Sequence, residues 1–169
     1  MFLHLQLFAG QIGGANVMAK SFAATVSAWA KQTPQRLEAV RNRAIDLLAV
    51  EMTTTIPNGG RVPFQTGNLA RSLLASTQGM PKTSDAQFSG SDVGIVTAML
   101  KLDQPIWLGY QARYARRLEM GYVGADSLGR VYNQAGYHFV SGAIAEWPNL
   151  VAKAARELQN SVESRTNGS

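Results

Sequence analysis

A short run of arginines around a tyrosine is the densest group of side chains here that could bind a ligand. The run has Tyr114 among three arginines, Arg113, Arg116 and Arg117. Arginine beside an aromatic ring can bind phosphate while the ring stacks on a base. However, Glu119 follows closely, and three arginines make a small electrostatic footprint. The pattern leaves three interpretations open: contact with DNA, pairing with a neighbouring subunit, or an ordinary solvated face.

The residue types that usually carry catalysis or hold a metal are sparse. The chain has two histidines, His4 and His138, and no cysteine. It contains no HExxH, no GxSxG and no carboxylate cluster. The glycine-rich stretch 58–61 follows a predicted helix, and no Gly-Lys-Ser/Thr comes after it, so a phosphate-binding loop is not indicated. We therefore expect no catalytic residue, no metal and no cofactor, and a protein that is not an enzyme.

Composition favours one folded domain with few charges. The chain has 169 residues, of which 46% are hydrophobic and only 16% charged. A low charge content in a foldable chain hints at surface buried in an assembly. The net charge of +5 is mild, and no block of like charges marks a nucleic-acid arm. No apolar run reaches the roughly 18 residues of a membrane span, so we expect no membrane association.

The predicted boundaries leave a single domain over residues 18–163. Residues 1–17 combine glycines with apolar side chains and are expected to form a flexible extension outside the core. Residues 164–169 are expected to be a frayed tail.

A long helix is predicted first. Residues 19–32 have amphipathic spacing, and Thr33-Pro34 either restarts or extends the helix. From Pro34 to about residue 55 the apolar side chains share one broad arc: Leu37, Val40, Ala44, Ile45, Leu47, Leu48, Met52 and Ile56. Arg41 and Glu51 also lie in that arc, about 15 Å apart along a helix, too far to pair with each other. They either extend their charged ends to solvent at its edge or pair with a neighbouring subunit.

Strands are predicted next. Residues 69–77, 92–102 and 104–110 have β-branched or aromatic content between turn residues, which indicates an antiparallel meander. The polar stretch 78–91 is expected to be a long, mobile hairpin loop. Residues 112–120 form a helical turn or an irregular connection, and residues 121–136 form a loop or a loop with one short strand.

The chain is predicted to end in a helix. Residues 138–163 carry two apolar stripes separated by Pro148, where we expect a kink. The predicted fold class is α+β: a long N-terminal helix, a small antiparallel sheet of three to four strands, and a kinked C-terminal helix packed on one face.

Two segments resemble a known family. In residues 59–73 a proline and Thr66-Gly67 precede Asn68 and the pattern Leu69-x-x-Ser72. In residues 114–121, Tyr114-Ala115 is followed by Glu119, one residue and Gly121. These segments resemble the tail-completion, or head–tail joining, proteins of long-tailed DNA phages (minor tail and neck proteins, the gene-product-ten family of lambdoid phages). The resemblance covers roughly residues 18–163, and it departs from the family at Gln65, where an aspartate is common.

The residues of the first segment suit a tight turn. Gly67 can adopt positive φ, and the Thr66 hydroxyl can bond nearby backbone. The turn is expected to start a strand at Leu69 with a fixed direction.

The resemblance implies a structural virion protein at the phage neck or tail end, assembled in the host cytoplasm. It implies a homo-oligomeric ring of six or twelve subunits between head connector or adaptor proteins and the tail tube. DNA would pass through the ring without sequence-specific binding. The expected partner contacts are loops 78–91 and 121–136 together with Arg41, Glu51, Arg113, Tyr114, Arg116, Arg117 and Glu119. The alternative is a DNA-binding or packaging-associated accessory module.

Overall fold

The structure is a computed structural model that describes the backbone of residues 13–166 and the side chains of residues 33–161. Most of the predicted N-terminal extension, residues 1–12, and the end of the predicted tail, residues 167–169, lie outside the described residues. The chain divides into two units, Met1–Arg36 and Leu37–Ser169. The second unit contains every described strand and all the candidate site residues.

The first element is one long helix, α1 (Gly13–Thr53), which runs through Pro34. The helix therefore extends at Thr33-Pro34 and does not restart there. In the second unit its predicted apolar arc is largely confirmed, because Ala44, Ile45, Leu47 and Met52 are buried. Leu37 was predicted on the same arc but is more than half exposed.

A 3₁₀ turn (Ile56–Asn58) and a loop lead to a second, very short helix, α2 (Asn68–Arg71), and then to strand β1 (Leu73–Ser76). The prediction of a strand from residue 69 is therefore wrong for its first four residues. The Ser72 backbone N–H and hydroxyl both donate to the Leu69 carbonyl, at 3.0 and 2.7 Å. These local bonds hold a helical turn before the strand begins.

Helix α3 (Val93–Met99) occupies most of the segment predicted as the second strand. Its β-branched residues favour a strand, but Val93, Thr97 and Leu100 are the buried ones, and that spacing is helical. The Asn42 amide on α1 donates to the carbonyls of Thr97 and Leu100, at 3.0 and 2.8 Å. A side chain from another element thus satisfies carbonyl groups at the end of α3, which the local sequence does not reveal.

Two separate two-stranded sheets replace the predicted meander. Strand β2 (Trp107–Tyr110) pairs antiparallel with β1, with Leu73 opposite Tyr110. After helix α4 (Ala115–Met120), β3 (Gly121–Ala125) and β4 (Val131–Ala135) form a second antiparallel hairpin. Residues 121–136 therefore carry two strands, where at most one was expected.

The C-terminal region consists of α5 (Phe139–Ala145) and α6 (Trp147–Thr166). The break falls at Glu146, two residues before the predicted kink at Pro148. Pro148 lies in the first turn of α6, where a missing backbone N–H leaves no helical hydrogen bond unmade.

Three groups of buried side chains hold the second unit together. The first joins α1, β1, α3 and α5 and includes Ile45, Met52, Leu73, Leu100 and Ala143. The second surrounds Phe139 and consists otherwise of Val62, Leu69, Ala112 and Ala115. The third packs α1 on α6 through Ala44, Leu47, Leu150 and Ala154. The α+β class, the long first helix and the closing helix are confirmed.

Phe139 should be a large contributor to stability, because it is fully buried and its ring packs edge-to-face with Tyr110, with 5.2 Å between the ring centroids. We expect Phe139→Ala to lower the free energy of unfolding by about 3–5 kcal/mol, measured by urea denaturation. Ile144→Ala on the same helix, at a side chain 58% exposed, is the control and should change it by less than about 0.5 kcal/mol. Equal losses would contradict this view of the core.

Candidate functional site

The Thr66-Gly67 turn has the backbone geometry that the sequence predicts. Gly67 lies in the left-handed region with φ 74° and ψ 3°, and the Thr66 hydroxyl accepts a hydrogen bond from the Asn68 backbone N–H at 3.4 Å. The Arg71 guanidinium donates to the Thr66 carbonyl at 3.0 Å, and this hydrogen bond stabilises the turn. The turn leads into α2, and not directly into a strand.

Asn68 connects the turn to the long polar loop. Its side-chain oxygen accepts from the Phe88 N–H at 2.8 Å, and its amide donates to the Ala86 carbonyl and the Tyr114 hydroxyl, both at 3.4 Å. Arg71 also donates to the Phe88 carbonyl, at 2.8 Å. The loop predicted to be mobile is therefore anchored to the turn. Sequence reasoning missed Phe88, whose only local signal is an aromatic ring in a polar stretch.

Leu69 and Ser72 are buried in the core. Leu69 is buried against Phe139 and Ala115, and Ser72 is fully buried. The Ser72 carbonyl accepts from the Gln111 N–H at 2.9 Å. These two positions of the motif therefore hold the turn on the core and are not accessible to a partner.

Glu119 caps helix α5. Its carboxylate accepts from the backbone N–H groups of Val140 and Ser141, at 2.8 and 3.0 Å, and from the Ser141 hydroxyl at 2.8 Å. Burial by itself would raise the pKa of Glu119, but these hydrogen bonds and the nearby His138 outweigh it, so the pKa lies below its ordinary value. Glu119, which the sequence suggested as a partner contact, therefore makes its contacts within the chain.

The Tyr110 hydroxyl donates to the Met52 carbonyl. Burial, and secondarily the charge of Glu119, raise the pKa of Tyr110 far above its ordinary value. Tyr110 is therefore neutral at physiological pH and acts as a structural donor.

The three arginines of the second segment have three different environments. Arg113 pairs with Asp85 at 3.2 Å. The Arg117 guanidinium lies over the rings of Tyr122 and Tyr132, 3.9 and 4.8 Å from their centroids. Arg116 is exposed and makes neither a hydrogen bond nor an ion pair with the described part of the chain. The structure does not present them as one free cationic patch.

Arg41 and Glu51 also differ from each other. The Arg41 guanidinium donates to the carbonyls of Lys101, Leu102 and Gln104, at 2.5, 2.6 and 3.3 Å. It therefore fastens the loop after α3 to α1. Glu51 is partly buried and has no hydrogen bond or ion pair to any residue whose side chain the structure describes.

A cavity of about 620 Å³ opens beside the turn. Gly67 and Asn68 line one side, loop residues 84–88 another, and Tyr114, Arg117 and Tyr137 a third. Its volume is in the range of ligand sites, but its lining includes neither histidine nor cysteine, and its one carboxylate, Asp85, pairs with Arg113. The lining groups of the cavity are mainly aromatic rings and amide groups.

Among the described residues, no group of three His, Cys, Asp or Glu side chains is placed to hold a metal ion. None of the described helices is long and apolar enough to cross a membrane.

No protein-family model, curated protein or solved structure matches this chain. The phage resemblance therefore depends on the sequence alone, chiefly on residues 59–73 and 114–121.

The turn should be sensitive to any side chain at Gly67. The backbone of Gly67 has a positive φ, which is unfavourable for a residue with a Cβ, and a Cβ there would lie 2.8 Å from the Arg71 guanidinium and 3.1 Å from the Phe64 ring. Gly129 has φ 76° and open space around it, so it isolates the backbone cost. By urea denaturation we expect about 1–2 kcal/mol of destabilisation for Gly129→Ala and about 1 kcal/mol more for Gly67→Ala. Identical losses would show that the contacts around Gly67 are not restrictive.

Replacing Glu119 should change the acid sensitivity of the fold. At pH 7 we expect Glu119→Gln to lose about 1–3 kcal/mol of unfolding free energy, because a charged acceptor of three hydrogen bonds becomes neutral. Since the folded-state pKa of Glu119 is lowered, its contribution is complete above the unfolded value of about 4.3 and is lost as pH falls through the folded value. The difference between wild type and variant should therefore shrink below about pH 4.3.

Urea denaturation at a series of pH values measures this difference. Glu146→Gln, at a more exposed carboxylate, is the control and should have little effect at pH 7. A gap for Glu119→Gln that stays constant down to pH 2 would contradict the role of the charge.

Proposed function

We propose that this protein is a structural subunit of a ring at the neck or tail end of a long-tailed phage, where it joins or completes the tail and connects it to the head. One observation carries the proposal: the two segments that resemble the tail-completion family form one packed unit. The Asn68 amide meets the Tyr114 hydroxyl at 3.4 Å, and Leu69 packs with Ala115 in the same buried group. Segments joined in this way behave as one structural motif.

The contacts of these residues support a scaffolding role. Gly67, Asn68, Ser72 and Glu119 make hydrogen bonds that hold backbone in place. Such an arrangement sets the directions in which the surrounding surfaces face. In a ring, assembly depends on those directions, because each subunit presents one surface to the copy before it and another to the copy after it.

The remaining parts of the proposal follow from the resemblance. The ring would have six or twelve subunits and would contact a head connector or adaptor on one side and the tail tube on the other. DNA would pass through the lumen without base-specific contacts. The protein would belong to the virion and assemble in the host cytoplasm.

The alternative, a DNA-binding or packaging-associated module, has less support. Binding duplex DNA without sequence preference requires several free cations on one face. Arg113 is paired with an aspartate and Arg117 is stacked on tyrosines, which leaves Arg116 as the uncommitted member of the arginine group. This cluster alone makes a poor phosphate-binding surface.

Assembly measurements test the proposal. We expect the full chain to form discrete ring-sized oligomers in analytical ultracentrifugation, or to form them on purified tails or connectors of its own phage, with ring density at the neck in electron micrographs. A strict monomer that binds neither particle would contradict the proposal. If that monomer bound duplex DNA at submicromolar concentration with a steep salt dependence, the alternative would replace it.

A further inference from the structure

The β3–β4 hairpin exposes a largely apolar face. The register pairs Gly121 with Ala135, Val123 with Asn133 and Ala125 with Val131, so these residues share one face, on which the exposed Asn133 is the one polar side chain. Val123 is 78% exposed, Val131 is 82% exposed, and Leu128 in the connecting turn is 75% exposed. We call Val123, Ala125, Leu128, Val131 and Ala135 the hairpin patch.

The hairpin patch cannot be buried by a rotation of the hairpin, because the opposite face of the hairpin already contacts Arg117. There, Tyr122 and Tyr132 are partly buried and hold the Arg117 guanidinium. The Tyr122 hydroxyl donates to the Ala125 carbonyl at 2.7 Å, and the Tyr132 hydroxyl donates to Asp126 at 3.2 Å. These contacts fix which face points outward, so the patch is presented in one orientation.

Helix α3 exposes a second apolar face. The helix has no charged residue, and the side opposite its buried residues carries Ile95, 67% exposed, and Met99, 70% exposed. Ala98 and Leu102 are exposed beside them. We call Ile95, Ala98, Met99 and Leu102 the helix patch. The bonds from Asn42 and Arg41 to the end of α3 and the following loop hold this patch on α1.

The two patches belong to different parts of the second unit. Helix α3 packs on β1, whereas the hairpin continues from α4 and packs on it. Neither β3 nor β4 contributes a residue to the three buried groups. When the hairpin patch of one copy meets the helix patch of a second copy, the other patch of each copy stays exposed and can bind a further copy.

The size and charge of the patches suit such a contact. With whole-residue areas of roughly 150–200 Å², the six large side chains of the two patches expose on the order of 700 Å². An interface of about 1,200 Å² that is roughly 60% apolar needs about that much apolar surface, so the patches suit an interface at the small end of the usual range. Charges near the hairpin patch are neutralised, because Asp126 and Arg130 pair with each other at 2.6 Å. The centres of interfaces are depleted of charge in the same way.

We propose that the hairpin patch of one copy docks on the helix patch of the next copy, head to tail. The inference rests on the proposed ring function, because a contact between two different surfaces can propagate around a ring, whereas a contact between identical patches closes as a dimer. It names the occupant of both faces as a second copy of this chain.

Disulfide cross-linking tests the contact directly, because the chain has no cysteine of its own. Val123→Cys is mixed with a Met99→Cys variant of distinguishable size under mild oxidation, in solution or on tails and connectors. We expect mixed dimers to form at least about tenfold faster than with Val50→Cys, a control position 57% exposed on α1. A chain with both cysteines should give a ladder of covalent oligomers that ends at the ring number.

Charge exchange provides a second test at exposed positions, where the variants should stay folded by circular dichroism. We expect Val131→Glu and Ile95→Lys each to weaken assembly at least about tenfold. The double variant Val131→Glu/Ile95→Lys should regain most of the lost assembly, because each contact between neighbouring copies would then place a carboxylate opposite an ammonium group. Val50→Glu is the control and should assemble as the wild type does.

Several results would overturn the inference. Dimers of Val123→Cys with itself would indicate a twofold contact. Mixed cross-linking no faster than the control, or normal assembly of both single-charge variants, would remove the contact while leaving the ring function intact. Loss of tail or connector binding with unchanged ring size would assign the patches to another protein. Absence of any oligomer, alone or on particles, would reject the ring function itself.

Discussion

The buried carboxylate of Glu119 is the interaction on which much of the second unit depends. It caps α5 through the N–H groups of Val140 and Ser141, and so sets where that helix begins. The first residue of α5 is Phe139, whose ring lies in the buried group that also contains Leu69 and Val62. An unpaired carboxylate would be costly in this place, so the end of α4 and the start of α5 are held together.

The family-like turn depends on that anchor. Leu69 needs Phe139 and Ala115 as packing partners, and Asn68 needs both Tyr114 and the Phe88 backbone. The turn, the polar loop and the start of α4 therefore pack together as one structural unit. Two side chains that the sequence marks as contact candidates are used within the chain: Glu119 caps α5, and Arg41 holds the loop after α3 on α1. The hairpin and α3 instead keep large apolar side chains exposed, among them Val123, Val131 and Ile95.

Predictions from sequence succeeded where local periodicity and burial agree. The apolar arc of α1 predicted Ala44, Ile45 and Met52 correctly because one face of a long helix meets the core at helical spacing. They failed at α3, where β-branched residues favour a strand but Asn42 and the packing on β1 favour a helix. They also failed at residues 121–136, where glycines suggested a loop although a pair of strands forms.

The sequence by itself determined the α+β class, the long first helix, the closing helix and the positive φ of Gly67, because these follow from spacing and from backbone sterics. Only the tertiary structure decided that Asn68 reaches Phe88, that Glu119 caps α5, and that Arg117 lies on two tyrosines. Each of these joins residues separated by at least five and up to 22 positions, and no local pattern encodes such a distance. The tertiary structure also decided which candidate residues make contacts within the chain, because those contacts depend on residues that lie far apart in the sequence.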